Sequence, residues 1–582
     1  MLERIALLRA ALAGEKLDGF ILPLNDEFMG EYVPDSARRL QWLTGFTGSA
    51  GMAVVLRDKS AFFTDGRYTL QAQAEVKGFE LYNSGDLVLE KWLGKQADKT
   101  VIGYDPKLHT ASAINRYKHT AKTITWKDIS PNPIDSLWQE RPASPMGAAF
   151  IQPLAYAGES SSAKRRRIAE DITDLGADAA ILTAPDSVCW LLNIRGSDVP
   201  YTPFLLCYAI LYASGSVTLY VDKNRISDDV AVHLGKEVTV KPPELLVADM
   251  NALQHKHVLY DPVNSPFWFY VRLQEAGATV VEGDDPCRLP KACKNTVELD
   301  GMSQAHIHDG LAVTRFLYWL ENAVIKGETL TEISVAEKLE SFRTLSDAYL
   351  FPSFATISGS GPNGAIMHYH PTPASDRVLE KDSLLLVDSG GQYRQGTTDI
   401  TRTVAIGMPG DAMKTHFTLV LKGHIALARA VFPEGTSGSQ LDALARQYLW
   451  QAGLDYDHGT GHGVGSFLSV HEGPQRISKR GGDAALMPGM VLSNEPGYYK
   501  AGAYGIRIES LLVVKEVSAA PGRKRYFGFD TITLAPIDMR LVDKTLLATP
   551  ETRWLQEYHQ KVAAAHMSSL TPAEKGWLER IC

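Results

Sequence analysis

Two segments of the chain, about 150 residues apart, repeat one pattern, and this repeat constrains the fold of the first half more than any other feature. The first copy runs through DGFILPLNDEF, QWLTGFTGSAGMAVVL and AFFTDGRY, and the second runs through DAAILTAPDSVCWLLNIRG and LLCYAILYASGSVTLYVD. Each copy has a helix, a buried strand, a Trp followed by Leu (Trp42 and Trp190), and then apolar strands broken by Gly and Ser. The repeat therefore predicts two similar α/β domains.

Composition between and after the copies predicts the domain boundaries. The segment RPASPMGAAFIQPLAYAGESSSAKRRR combines Pro, Gly and a Ser run, which is typical of an exposed linker, so we place the first boundary at residue 153. After DDPCRLPKACKNTVELD a long helical period begins and continues through HIHDGLAVTRFLYWLENAV, so a new domain is expected from residue 294. A chain of 582 residues is too long for one hydrophobic core, in agreement with this division.

Bulk composition excludes several classes of function. A formal net charge of -8 offers no basic face for nucleic acid and no polybasic tail for a membrane, and we expect the basic run at residues 164–167 to be a solvated helix face. The strongest apolar stretch, residues 203–213, is about half the length that a bilayer-spanning helix needs. The N-terminal segment contains Glu3 and Glu15 and no long apolar region, so no secretory signal is expected. The five cysteines lie far apart or at spacings that fit neither a disulfide framework nor a zinc knuckle, which indicates a reducing compartment, and the expected location is cytoplasmic.

The segment SLLLVDSGGQYRQGTTDITRTVAIG reads as two strands around a turn that contains Gly396. If the turn is centred between Tyr393 and Arg394, Asp388 and Asp399 lie directly opposite each other; with another centre they remain near neighbours on one face. Two carboxylates placed in this way repel each other, and both sit in apolar strands. A bound divalent cation is the simplest compensation.

A second carboxylate pair follows in MVLSNEPGYYKAGAYGIRIESLLVV. A turn centred on Gly502 would set Glu495 and Glu509 opposite each other. One such pair is weak evidence, because Arg402 or Arg507 could form ion pairs with these carboxylates instead. Two pairs on two hairpins favour a metal site more strongly.

Histidines and glycines fill the segment between the two hairpins. In DHGTGHGVGSFLSVHEGP, glycines surround His458 and His462, and His471 follows. Glycine allows close backbone approach and positive φ, so these imidazoles could be presented at the floor of a site. A lone histidine is usually structural, but three here, with His368 and His370 in GAIMHYHP, favour a site.

Four carboxylates and one imidazole suit a pair of Mn²⁺, Co²⁺ or Zn²⁺ ions better than a structural zinc built from thiolates. Two such ions can bind one water between them, lower its pKa and stabilise a tetrahedral oxyanion. The sequence has no HExxH helix, GxSxG elbow or GxxxxGK[ST] loop, and we interpret ISGSGPNG as a loop near the site.

Four blocks, DSGGQYRQGTTDITRT, GTGHGVGSFLSVHEGP, NEPGYY and IRIES, resemble in order and spacing the motifs of the pita-bread metallopeptidases of family M24. The whole chain resembles the long, three-domain form of aminopeptidase P, including a tail with LAPIDMRLVDKTLL and WLQEYHQKV. The resemblance implies an α/β protein of two duplicated creatinase-like N-terminal domains, residues 1–153 and 154–293, a pita-bread catalytic domain, residues 294–526, and a C-terminal extension, residues 527–582.

The resemblance also assigns roles to the metal ligands. It implies that Asp388 binds one of two divalent ions, that Asp399 and Glu509 bridge both, and that His462 and Glu495 complete the second. Mn²⁺ is the expected ion, with Co²⁺ or Zn²⁺ as alternatives.

Further roles concern the substrate. The resemblance implies that His368 and His471 contact the substrate and stabilise the transition state, while Glu495 helps to move a proton to the departing proline nitrogen. The remaining positions that match substrate-lining residues are His458, Tyr499, Arg507 and, in TDGRY at the dimer contact, Arg67.

Such enzymes remove an N-terminal residue when proline is second, a bond that most proteases cannot accommodate because the prolyl nitrogen has no hydrogen and φ is fixed. The expected partners are short peptides of this kind and a second copy of the chain in a homodimer, and neither nucleic acid nor a membrane. A prolidase that cleaves Xaa-Pro dipeptides shares the fold and the ligands and is the main alternative. A non-catalytic peptide-binding relative is a further one, which the intact ligand set disfavours.

Overall fold

The computed structural model describes residues 1–96, 100–517 and 524–582. The chain divides into two compact units, one formed by residues 1–154 and 159–288 and the other by residues 155–158 and 289–582. Across the described residues, no helix is both long enough and apolar enough to cross a bilayer. The finer division at residues 153, 293 and 526 stays a prediction.

The first half of the first unit is built around a six-stranded sheet. Its strands are β1 (Gly19–Pro23), β2 (Met52–Leu56), β3 (Ser60–Thr64), β4 (Glu80–Asn83), β5 (Val101–Tyr104) and β6 (Thr125–Asp128), in the order β4-β3-β2-β1-β5-β6. Strand β2 is antiparallel to β1 and β3, and the other neighbours are parallel. Its helices are α1 (Leu2–Gly14), α2 (Arg39–Thr44), α3 (Thr69–Glu75), α4 (Leu89–Gln96), α5 (Ala111–Thr120) and α6 (Pro133–Leu137).

The second half of this unit repeats the arrangement. Its strands are β7 (Phe150–Ile151), β8 (Ala179–Leu182), β9 (Ile194–Arg195), β10 (Tyr208–Tyr212), β11 (Val217–Tyr220), β12 (Val238–Lys241), β13 (His257–Tyr260) and β14 (Thr279–Glu282). The sheet order is β12-β11-β10-β8-β13-β14, with the same sequence of antiparallel and parallel pairs as in the first sheet. The helices are α8 (Ser161–Asp174), α9 (Pro185–Leu192), α10 (Asp228–Leu234), α11 (Leu246–Asn251) and α12 (Phe267–Glu275), and the short helix α7 (Leu154–Ala157) that precedes them belongs mostly to the second unit. The predicted duplication is confirmed.

Helix α8 contains the basic run at residues 164–167, and the expectation of a solvated face is wrong for its first half. Lys164 is buried and donates to the carbonyl of Trp190 (3.1 Å) and to Oδ1 of Asn193 (2.9 Å). Arg165 is also buried and donates to the carbonyl of Gly215 (2.6 Å), whereas the two following arginines are exposed. The helical period turns the first two cations inward, where carbonyl and amide oxygens replace water.

The second unit begins with a long helix at the predicted position. Helix α14 (Thr296–Lys326) starts at Asn295, whose side chain forms a capping box with Glu298, and ends at Gly327 with φ of 73°. The other helices of the unit are α13 (Arg288–Ala292), α15 (Glu332–Arg343), α16 (Asp411–Ala428), α17 (Gly438–Gln451), α18 (Thr549–His566) and α19 (Pro572–Ile581).

Short strands supply most of the predicted site residues. They are β15 (Tyr349–Pro352), β16 (Ile357–Ser360), β17 (Ser383–Ser389), β18 (Gly391–Tyr393), β19 (Gly396–Thr397), β20 (Ile400–Ile406), β21 (Phe432–Pro433), β22 (Gly461–Gly463), β23 (Glu472–Ile477), β24 (Val491–Asn494), β25 (Gly497–Lys500), β26 (Tyr504–Arg507), β27 (Ser510–Val517) and β28 (Tyr526–Thr531). The sheets are β15-β18-β19, β16-β17-β20, β25-β26 and the six-stranded β21-β28-β27-β24-β22-β23. The boundary predicted at residue 526 falls on the first residue of β28, which pairs with β27.

The C-terminal helices share one core with the site-bearing strands. Phe316 of α14, Leu385 of β17, Val420 of α16, Tyr558 of α18 and Leu578 of α19 belong to a single buried cluster. The mixed α/β class is confirmed. The tail therefore packs as part of the second unit's core.

Candidate metal centre

The first carboxylate pair lies on the hairpin formed by β17 to β20. The turn is the two residues Arg394 and Gln395, so Asp388 faces Thr401 and Asp399 is its diagonal neighbour on the same face. Of the two arrangements considered for Asp388 and Asp399, the near-neighbour arrangement on one face is found, and direct opposition is not. The placement of Gly396 in the turn is wrong. That glycine opens β19.

The second carboxylate pair has the predicted register. Strands β25 and β26 form a hairpin about Gly502, which has φ of 71°, and β24 and β27 continue the same register with Asn494 opposite Ser510. Glu495 and Glu509 occupy facing positions between the two ladders. A glycine with positive φ fixes this turn, because other residues adopt that conformation only with strain.

Three of the five predicted ligands form a compact group. Ligand atoms of Asp399, His462 and Glu509 all lie within 4.8 Å of one another. Nε2 of His462 is 3.4 Å from Oδ2 of Asp399 and 3.6 Å from Oε1 of Glu495. Nδ1 of His462 is 3.0 Å from the carbonyl of Gly463, so the ring donates there and turns Nε2 toward the carboxylates.

The electrostatics of the group show uncompensated negative charge. Burial, followed by repulsion from Asp399, Glu495 and Asp388, raises the pKa of Glu509 well above its ordinary value. Burial also raises the pKa of Glu495, and it raises the pKa of Asp388 to about 6. Burial alone would lower the pKa of His462, but Asp399 and Glu495 raise it to about 9. Burial and mutual repulsion therefore favour a bound proton on these groups, and a metal cation would offset the same negative charge.

The residues fit a pair of divalent ions. Oδ1 of Asp388 is buried without a hydrogen-bond partner, an arrangement that costs free energy unless a cation or water meets it. The donors are carboxylate oxygens and one imidazole nitrogen, which suit Mn²⁺, Co²⁺ and Zn²⁺. A cation would replace the proton on His462 and face the same carboxylates.

Arg507 joins the predicted ligands to the predicted substrate residues. Its Nη2 is 2.6 Å from Oδ2 of Asp388, and its Nη1 donates to the hydroxyl of Tyr499 (2.7 Å). Since a guanidinium only donates, Tyr499 is left to donate to Nε2 of His458 (2.9 Å). The ion pair considered at Arg507 exists, and it neutralises part of the charge on one carboxylate.

Arg402 does not form the ion pair that the sequence left open. The guanidinium is buried and donates to carbonyl oxygens, including those of Thr401 (2.9 Å) and Glu509 (2.5 Å), and to the hydroxyl of Tyr558 (2.8 Å). It therefore ties the backbone of one predicted ligand to helix α18.

The other predicted residues have different outcomes. His471 packs edge-on against His462, with ring centroids 4.3 Å apart. His368 follows Met367, whose carbonyl accepts from Nη1 of Arg507 at 3.2 Å. Arg67 lies in the first unit, where its guanidinium donates to both oxygens of Asp65 at 2.9 and 2.8 Å. The assigned roles of all these residues stay predictions.

The glycines of GTGHGVG serve close approach and not positive φ. All four lie in the described part of the chain, and none of them has a positive φ. A Cβ on Gly461 would lie 2.0 Å from the carbonyl oxygen of Ser493, and one on Gly463 would lie 2.4 Å from Nε2 of Gln475. The expectation of positive φ is wrong here. The close approach that these glycines permit is to neighbouring protein atoms, and close approach to a ligand stays a prediction.

Two hydroxyl-bearing residues of the site were not predicted from the sequence. Oγ1 of Thr401 donates to Oε2 of Glu509 (2.7 Å) and accepts from Arg507 (3.2 Å). Oγ of Ser493 is 3.2 Å from Oε1 of Glu495. Strand alternation could have found both, because each lies two residues from a predicted ligand and so on the same face.

Comparisons with known proteins identify the family. A family model described as metallopeptidase family M24 matches residues 300–516, and one described as the C-terminal region of peptidase_M24 matches residues 525–582. Two models of the Creatinase/Prolidase N-terminal domain match residues 4–137 and 140–298.

Two relatives that match over nearly the whole chain share a name. The chain is 38% identical to the probable Xaa-Pro aminopeptidase P of Aspergillus flavus, over 99% of this chain and 92% of that protein. It is 40% identical to the protein of the same name from Laccaria bicolor, over 100% and 93%. The crystal structure of the X-prolyl aminopeptidase of Caenorhabditis elegans, described as a cytosolic enzyme with a di-nuclear active site, matches with a TM-score of 0.95 at 34% identity, covering 100% of this chain and 99% of that one. The chain therefore belongs to the Xaa-Pro aminopeptidase P family of M24 metallopeptidases.

Proposed function

We propose that this protein is a metal-dependent aminopeptidase that hydrolyses the N-terminal Xaa-Pro bond of short peptides and releases the first residue. The observation that carries the proposal is the group of Asp399, His462 and Glu509, with ligand atoms within 4.8 Å of one another. Likeness over the whole chain to proteins named for this activity supports the substrate class.

The site would hold two divalent ions, most readily Mn²⁺. Asp388, Asp399, His462, Glu495 and Glu509 are the proposed ligands. Bound ions of this kind supply Lewis acidity, which lowers the pKa of water and stabilises negative charge on a carbonyl oxygen.

Glu495 is the proposed proton carrier. Its carboxylate lies 3.6 Å from Nε2 of His462 and 3.7 Å from Nδ1 of His458, and burial raises its pKa. A carboxyl group with a raised pKa can accept a proton from the attacking water and return it to a leaving group. The prolyl nitrogen has no hydrogen in the substrate and must gain one to leave as an amine, so this return is an essential step.

The imidazoles and Tyr499 would orient the substrate. Nδ1 of His458 is 2.7 Å from the carbonyl of Gly459, so Nδ1 carries the hydrogen and Nε2 accepts from Tyr499. This series of hydrogen bonds fixes the tautomer of His458 and the orientation of the Tyr499 phenol beside Arg507. His471 and His368 would donate to the scissile carbonyl as its charge develops.

Three further properties belong to the same proposal. We infer Mn²⁺ as the ion, a cytoplasmic location and a homodimer in which Arg67 reaches toward the substrate. The cytosolic description of the Caenorhabditis elegans enzyme supports the location. Light scattering at micromolar concentration measures the dimer directly, and a monomer mass under conditions of full activity would contradict it.

The test is amino-acid release from Arg-Pro-Pro, Arg-Ala-Pro and the dipeptide Arg-Pro by metal-loaded protein. We expect arginine from Arg-Pro-Pro alone, and its loss in Glu509→Gln. The matched control is Glu516→Gln, in strand β27, which begins directly after Glu509; Glu516 is exposed, and this variant should retain activity. Preference for the dipeptide would mean a prolidase, and silence on all three peptides would mean a binding protein.

A further inference from the structure

Three charged side chains are buried together at the start of β23, an edge strand of the second unit's six-stranded sheet. Glu472 opens β23, and its side chain is fully buried. Nζ of Lys291 is 2.8 Å from Oε2 of Glu472, and Nζ of Lys294 contacts Oε1. Both lysine side chains are at most 2% exposed. Two ammonium groups thus hold one carboxylate from either oxygen.

This triad lies directly behind predicted site residues. Glu472 follows His471 in the chain and pairs with Gly463, the residue after His462. Glu472 contacts the two lysines, whereas His471, the residue before it, packs on His462 with ring centroids 4.3 Å apart. A Cβ on Gly465 would lie 3.2 Å from Oε2 of Glu472, which shows how closely the neighbouring loop encloses the carboxylate.

Stability alone does not account for this arrangement. Removing three charges from water is costly, and well-packed apolar side chains of similar volume usually serve stability equally well. An ionic clamp differs from apolar packing in being directional, because each ammonium sets one oxygen in place. The two lysines therefore hold the side chain of Glu472 in one position, and they restrain the neighbouring backbone that carries His471.

We propose that Glu472 is a positioning residue: held between Lys291 and Lys294, it fixes His471 against His462 at the distance that the reaction needs. The proposal rests on the proposed function, since it assigns His471 to the substrate. The two lysines lie just before helix α14, so the segment that enters the second unit helps to set the floor of the site.

The test is a double-mutant cycle on an apolar background. The triple variant Lys291→Met, Glu472→Met and Lys294→Met removes the clamp without leaving an unpaired buried charge. We expect unchanged metal content and an unchanged Co²⁺ absorption spectrum, with kcat on Arg-Pro-Pro reduced roughly 10- to 100-fold and KM changed little. His471→Ala should lower kcat strongly in the natural chain and by less than about 3-fold in the triple variant.

A matched control separates positioning from the general effect of removing a buried ion pair. Lys422 and Glu551 pair at 2.6 Å between α16 and α18, with side chains 12% and 7% exposed. Replacing both with Met should leave kcat unchanged. The proposal would be overturned if the triple variant had the same kcat as the natural chain. It would also be overturned if His471→Ala lowered kcat by the same factor in both backgrounds.

Two further measurements keep the outcome decisive. If the triple variant does not fold, Lys294→Met alone leaves the Lys291–Glu472 contact and gives the same cycle with smaller amplitude. If the natural chain releases no amino acid, the proposed function fails separately, and a crystal structure of the variant decides the positioning role. A His462–His471 centroid distance still near 4.3 Å would then refute it.

Discussion

Substitution of Tyr558 by Phe should destabilise the second unit while leaving the metal ligands in place. The Tyr558 hydroxyl accepts from Nη2 of Arg402 (2.8 Å) and donates to the carbonyl of Ala535 (2.7 Å). Phe retains the ring, which stacks on Trp554 with centroids 5.2 Å apart and planes inclined by 3°. The change therefore removes hydrogen bonds and little packing.

The size of the destabilisation follows from the Arg402 N–H that is left without an acceptor. One N–H of a buried guanidinium loses its acceptor, and an unsatisfied buried group costs about 1–3 kcal/mol, with charged groups at the upper end. A cost of about 3 kcal/mol would lower the melting temperature of a unit of this size by roughly 6 °C. Nη1 of Arg402 still donates to the carbonyls of Thr401 and Glu509, so metal affinity should be retained.

Differential scanning calorimetry of metal-loaded protein measures the effect. Tyr526→Phe is the matched control, because Tyr526 is 42% exposed at the start of β28. The reasoning is refuted if Tyr558→Phe melts within 1 °C of the natural protein, or if both variants lose the same amount.

Two other predictions concern the site. Since the pKa of Asp388 is raised to about 6 and that of His462 to about 9, both groups favour the metal-free fold at low pH and lose that contribution as pH rises through those values. The increase in melting temperature on adding Mn²⁺ should thus be larger at pH 8 than at pH 5. Calorimetry at both pH values measures it, and an increase at pH 8 that is equal to or smaller than that at pH 5 would contradict the prediction. Gly461→Ala should abolish soluble expression or metal binding, because its Cβ would lie 2.0 Å from the Ser493 carbonyl. By contrast, Gly576→Ala in helix α19, with nothing within 4 Å, should stabilise by about 0.5–1 kcal/mol in urea unfolding.

The two hairpins show what sequence could and could not predict about register. Gly502 marks its turn unambiguously, and the facing positions of Glu495 and Glu509 follow. Gly396 misleads, because it lies in a strand where a Cβ would meet Sδ of Met302 at 2.8 Å. That glycine makes room for helix α14, and no local pattern distinguishes this use from a turn.

Long-range polar contacts could not be predicted from the sequence for a different reason. Lys291 and Glu472 are 181 residues apart, and Arg402 and Tyr558 are 156 apart. Each residue alone reads as an ordinary surface charge or a core aromatic. Periodic patterns report which face of an element is buried, and they do not report which distant partner meets it.

The central claim is that these five ligands hold two ions that the peptidase reaction requires. The most direct measurement titrates metal-free protein with Mn²⁺ and follows bound metal and arginine release from Arg-Pro-Pro in the same samples. We predict that activity rises with binding, saturates at two ions per chain, and is absent from Glu509→Gln at every Mn²⁺ concentration. Full activity in the metal-free chain, or saturation at a single bound ion, would contradict the claim.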